Sequence, residues 1–196
     1  MPADDAPPPT DDTSSPPEVV SLDVEAKSLL GFDLSLGNFY GAPHPPWTEG
    51  SHPGWYFGDH GYLYPELTCL EGIICAILEL FPKFLHCPHK PPNNPPPSDG
   101  YQQTFSNLTG ATQAGDYMTY GLVDTVAQCK AMCDSVAGCK FANSYHDVNG
   151  KGGSTQLTCS LFTSCHTESD ADNKGGQSQP DGSIDFITDS DGWCKD

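Results

Sequence analysis

Six cysteines crowd into the stretch from Cys129 to Cys194, and no other feature of the 196-residue sequence restricts its fold as tightly. At that density thiols read as a disulfide framework made in an oxidising compartment. A zinc site would need close pairs of the Cys-x2-Cys kind, and none occurs. Cys129 and Cys133 are four apart in a segment patterned as a helix, so both project from one face of it. Six cysteines can pair in many ways. Geometry favours one set: Cys133 with Cys139 just past the helix end, Cys129 with Cys159 in a later strand, and Cys165 with Cys194, which ties the tail back. Each such bridge contributes about 2–4 kcal/mol, much of it by restricting the unfolded chain.

The residues around these cysteines look like strands at 101–107, 117–122, 140–146, 156–162 and 183–188. Between the second and third, Thr125-x-x-Gln128 has the form of a capping box that opens a helix. That helix is expected to run to Gly138, a residue at home in a left-handed stop. The fold class is therefore α+β, with an antiparallel sheet and one helix stapled to it by disulfides.

The order Cys129-x3-Cys133-x5-Cys139, then Cys159 and Cys165, resembles a PAN/apple module. In that family a helix is bridged to a curved antiparallel sheet, its first cysteine to a later strand and its second to a nearby one. The runs Cys139–Gly150 (CKFANSYHDVNG) and Phe186–Cys194 (FITDSDGWC) are similar to fruit-body proteins of mushroom-forming fungi. The resemblance covers residues 101–196 and touches Leu36–Trp47 (LGNFYGAPHPPW). It implies an abundant extracellular or cell-wall-associated protein that binds a carbohydrate or protein partner, and it carries over no ligand residues.

The first half divides differently. Residues 1–20 are an acidic, Pro-rich tail with little to bury, and residues 88–100 are a Pro-rich linker that separates residues 21–87 from the disulfide domain at 101–196. Within 21–87, aromatics broken by Pro and Gly form an irregular segment expected to wrap the disulfide domain. Apolar residues recur from Leu67 to Phe84 at spacings of three and four, which predicts an amphipathic helix over 66–85 that Pro82 limits or kinks. Its length and its charges at Glu66, Glu71, Glu79 and Lys83 exclude membrane insertion. Of the three remaining cysteines, Cys69 or Cys75 is expected to close onto Cys87, leaving one thiol over.

Charge excludes one class of partner. The chain carries 26 acidic residues against 8 lysines and no arginine, a net charge of −18 that repels nucleic acid and anionic membranes. The sequon at Asn107 suits glycosylation on a secretory route. The opening Met1-Pro2-Ala3-Asp4-Asp5 has no basic start and apolar run, so either a leader has been removed and a Met added, which is the favoured expectation, or the protein leaves the cell by another path. No Gly-x-Ser-x-Gly occurs and the cysteines are better used as bridges, so the expected function is non-catalytic.

Two kinds of ligand site suggest themselves. Trp47, Trp55, Tyr56 and Tyr62, with Phe57 and Tyr64, either fill the seam between the two halves or form a platform for a sugar ring or a flat organic ligand. A pigment carrier with its site in that seam is the alternative to carbohydrate or protein binding, and a storage protein is a third. For a divalent cation, Asp147-x-Asn149-x-Lys151-Gly152 begins like a calcium loop, though a lysine stands fifth, and Asp189-Ser-Asp191-Gly192 offers a second acidic turn. His86 and His89 flank Cys87-Pro88 and are a weaker metal pair.

Overall fold

Thr125 opens the longest helix among the described residues by the reciprocal bonds its sequence predicts: its hydroxyl accepts from the Gln128 N–H at 3.2 Å, and the Gln128 amide oxygen accepts from the Thr125 N–H at 3.0 Å. The computed structural model, which describes Val24, residues 26–89 and residues 99–196, places this helix, Val126–Ser135, across one face of a seven-stranded mixed sheet. The tail at 1–20 and most of the linker at 88–100 lie outside the described residues.

In chain order the strands are β1 (Tyr56–Phe57), β2 (Tyr101–Leu108), β3 (Tyr117–Val123), β4 (Phe141–Val148), β5 (Leu157–Phe162), β6 (Gly175–Ser178) and β7 (Ile184–Lys195). They are ordered β1-β3-β5-β4-β7-β2, with β6 also on β7. All pairs are antiparallel except β1 with β3, where Tyr56 lies opposite Leu122. The helices are α1 (Gly72–Leu78) and α2 (Val126–Ser135), and a helical turn at 26–30 precedes them.

Bridges fix α2 to the sheet. Cys129 is joined to Cys159 on β5, Cys133 to Cys139, and Cys165 to Cys194 on β7, while Cys75 on α1 is joined to Cys87 and Cys69 stays a free thiol. The helix stops at Ser135 and not at Gly138. A helix continued to Cys139 would carry it about 9 Å along the axis from Cys133, whereas the bridged Cα atoms are 5.3 Å apart. Gly138 is still left-handed, with φ +85°, in the turn that follows.

The predicted helix over 66–85 shrinks to α1. Before it the chain runs extended beside β1: the Tyr56 N–H donates to the Thr68 carbonyl and the Leu70 N–H to the Tyr56 carbonyl. Gly72 then turns at φ +51°. The apolar periodicity thus serves two different conformations, which is why Leu70, Leu78, Phe81 and Phe84 are buried while Ile73 is 75% exposed. No helix among the described residues is long and apolar enough to cross a membrane.

The first half shares the core of the second. Leu34, Trp55, Leu78, Phe84 and Leu85 are buried in one cluster with Val123, Cys129, Met132, Cys159 and Leu161 beneath α2. On the far face of the sheet, Tyr120, Phe141 and Phe162 pack with Ala42 and Phe105. Between those rings this face carries buried polar groups: Asn143, Tyr145, Asp147, Thr158 and Ser160.

Candidate functional site

The four aromatics singled out as a platform do not meet. Trp55 precedes Tyr56, the first residue of β1, in extended chain whose Trp55 carbonyl accepts from the Leu122 N–H at 3.0 Å, so their side chains leave on opposite faces. Trp55 is fully buried over Gly121, its Nε1–H donating to Thr119 Oγ1 at 3.2 Å. Tyr56 is buried too, donating to Asp124 Oδ1 at 2.7 Å and accepting from the His60 N–H at 2.8 Å. Tyr62 is 77% exposed, edge-on to His60, and Trp47 lies against Tyr117 and Phe162 at the other end of β3. Trp55 and Tyr56 are spent on packing; Trp47 alone of the four borders an open groove.

That groove, about 460 Å³, runs along the seam where the segment 39–47 crosses the loop before β3. Its floor is Tyr117, whose hydroxyl donates to the Ala42 carbonyl at 2.9 Å and holds the two halves together. Phe39 stacks on Tyr117 (centroids 5.9 Å apart, planes at 18°) and Trp47 stands edge-on to it at 5.6 Å. Pro43 and Pro45 form the wall, and the exposed Gln113 supplies an amide at the rim, its backbone N–H tied to the Asp170 carbonyl at 2.9 Å. None of the lining side chains is charged.

Phe39 and Tyr40 both lie in the left-handed region, at φ 49° and 52°, a conformation costly for a bulky aromatic. It turns the Phe39 ring back over Tyr117 and leaves it 41% exposed. The sequence pattern singles out none of Phe39, Gln113 or Tyr117 as ligand-binding. Two aromatics ahead of Gly41 carry no visible sign that the backbone there is left-handed.

The cation sites are filled otherwise. Asp147 points inward and is paired with Lys151 Nζ at 3.2 Å, so the lysine takes the place a cation would occupy. Asn149 instead faces solvent and donates to the Ile184 carbonyl at 3.1 Å. Asp191 accepts from the Asn107 N–H at 2.9 Å and Asp189 from its neighbour Thr188 at 2.8 Å, so neither pair converges. Cys87 is bridged, which removes the sulfur between His86 and His89. Among the described residues no group of three or more His, Cys, Asp or Glu is placed to hold a metal. Asn107 stands exposed at the irregular end of β2.

Two carboxylates organise the loops beside the groove and the sheet end. Against the upward push of burial, hydrogen bonds from Tyr56, the Asp59 N–H, Gln156 and His60 hold the Asp124 carboxyl below its ordinary value. Asp116 is lowered in the same sense: burial opposes, while His166 Nε2 at 2.9 Å and the Ser164 N–H at 2.8 Å win. A carboxyl depressed by folding contributes stability that is complete above its ordinary value, 3.8, and is lost as pH falls through the lower folded value. The urea midpoint is therefore expected to drop as pH falls below about 4, and Asp116→Asn to flatten part of that drop. An unchanged slope in the variant would deny the His166 pair any such linkage.

The free Cys69 thiol lies near the Gly61 carbonyl, at 3.5 Å, beside Tyr64 and Leu67. Burial first, then Glu71 and Glu66, push it up, which disfavours the reactive thiolate. No protein-family model, no curated protein and no solved structure matches the chain.

Proposed function

We infer that the chain is an extracellular, non-catalytic binding module of the PAN/apple kind, which holds a carbohydrate in the groove of Phe39, Trp47 and Tyr117. The observation that carries this reading is the groove itself: three aromatic rings, two prolines and one amide, with no charge. Such a lining suits a neutral ligand with an apolar face and hydroxyl edges, as a pyranose ring has. A pigment carrier would be expected to enclose most of its ligand, whereas this groove is shallow and open to solvent. Four bridges and an exposed sequon at Asn107 favour the secretory setting. The resemblance of Cys139–Gly150 and Phe186–Cys194 to fungal fruit-body proteins points to a wall polysaccharide as the source of the sugar.

The test is titration of the purified chain with soluble glucose and N-acetylglucosamine oligomers, followed by tryptophan fluorescence and calorimetry. Trp47 is the tryptophan in the groove, since Trp55 is buried and Trp193 lies on β7 under Lys130 Nζ. Phe39→Gly is the informative variant, because glycine is at ease at φ 49° and the fold should tolerate the change. It is expected to weaken binding about tenfold, near 1.4 kcal/mol, with only a small drop in the urea midpoint. An absence of response to every oligomer, together with a coloured molecule copurifying with the protein, would transfer the groove to the carrier reading.

A further inference from the structure

Lys151 and Asp147 form a pair that solvent hardly reaches, with side chains 5% and 4% exposed. Asp147 lies on β4 opposite Ile187 of β7, and Asp185 stands two residues along β7 on the same face, itself buried. Lys151 follows the turn at Asn149 and Gly150 and folds back so that Nζ is 3.2 Å from Asp147 Oδ2. Only glycine permits this at 150: a Cβ there would sit 2.3–2.5 Å from the Asp147 carboxyl atoms. The ammonium also donates to Ser51 Oγ at 3.3 Å and lies 5.3 Å from the Tyr120 ring centroid. The fully buried Tyr145 closes the site beside the two carboxyls. Asp147 Oδ1 has no hydrogen-bond partner, although it is buried.

We propose that Lys151 Nζ and Asp147 Cγ are joined by an isopeptide bond that the folded chain forms by itself, with Asp185 beside the reacting carboxyl. The reactants touch, water is excluded, and a second carboxyl is in reach. An orphaned carboxylate oxygen this deep is costly, and a proton on Asp147 lets its carboxyl bond to Asp185. Burial pushes the Asp147 carboxyl up, against the pull of Lys151, and Asp185 adds to the rise. Across the 3.2 Å contact the ammonium can hand a proton to Asp147, leaving an amine beside an acid.

The step balances. The Nζ lone pair attacks Cγ, one Nζ proton passes to the departing Asp147 hydroxyl, and amine and acid become amide and water, with Asp185 unchanged. Holding the pair in contact supplies an effective concentration on the order of 10⁵–10⁸ M, which offsets the cost of condensation. The product fixes the turn that carries Lys151 to Ser51 and so anchors the wrapping segment.

The test is the mass of the full chain, reduced and denatured, with a tryptic map. The chain is expected to be one water lighter than its sequence. Trypsin is expected to leave residue 151 uncut, giving a fragment spanning 141–174 that carries the loss. Asp185→Asn, checked for its four bridges by non-reducing mapping, is expected to show the full mass and normal cleavage after Lys151. A wild-type chain of unaltered mass, cut after Lys151, would overturn the proposal and leave an ion pair. So would a water loss confined to Asp181-Gly182 or Asp191-Gly192, which signals succinimide. Bond formation in Asp185→Asn would overturn the role of Asp185.

Discussion

A chain that begins at Tyr101 is expected to lose most of its stability and to associate. Removing residues 1–100 takes away β1 and leaves the edge of β3 unpaired along a strand buried throughout, from Tyr117 to Val123. Tyr117 loses Phe39 and Trp47, Leu122 loses Tyr56 and Tyr64, and Val123 loses Trp55 and its neighbours. At about 1.5–3 kcal/mol for each side chain returned to water, the loss is on the order of 5–9 kcal/mol. That is comparable to the whole stability of a small domain. A long apolar edge is also a template for pairing between chains. Urea unfolding and size-exclusion chromatography check the outcome: a monomer with an undiminished midpoint would show that residues 101–196 stand alone.

The second large effect lies where Trp55 meets Gly121. The indole rests on the glycine so closely that a Cβ at 121 would come within 2.2 Å of the ring. Trp55→Ala is expected to cost about 3–5 kcal/mol through the void it leaves, and Thr119 loses its donor. Gly121→Ala is expected to be severe as well, because a rigid, fully buried ring has nowhere to move. The two losses should not add. With the ring gone, the extra methyl enters empty space, so the double variant is expected to be no less stable than Trp55→Ala alone. Denaturant midpoints for the four proteins measure the coupling, and simple additivity would show that indole and glycine do not compete for one volume.

How far the fold could be read from residues depended on how local the deciding interaction was. The capping box at Thr125 and Gln128 is written in four residues, and β2 to β5 fall where strands are expected from the sequence. Two cysteines on one helix face suggested the pairs Cys129–Cys159 and Cys133–Cys139, and the structure has these pairs. β1 is two residues long and exists because β3 offers an edge, a partner 66 positions away for Tyr56 and Leu122. Nothing local marks it. β6 reads Gly-Gly-Gln-Ser and lacks strand-forming side chains, since the longer β7 supplies the order. The candidate site fared less well for the same reason. Trp55 and Tyr56 look like ligand aromatics until the edge of β3 claims their strand. Phe39 reaches Tyr117 only through a backbone conformation that its residue type disfavours. In the acidic turn, Lys151 broke the match to a calcium loop, and that lysine is the residue around which the buried charges are arranged.

No bridge connects the two halves of the chain: Cys75–Cys87 closes before residue 90, and the other three close after residue 98. A single proteolytic cut in the Pro-rich stretch between them would therefore leave two fragments with no covalent tie. Each would keep its own staples, and the pair would hold by the Trp55 insertion, the β1–β3 ladder and the bond from Tyr117 to Ala42. Such a nicked protein is a natural two-piece complementation system. The released N-terminal piece becomes a ligand that can be exchanged, diluted away or supplied in trans, and half of the aromatic groove leaves or returns with it.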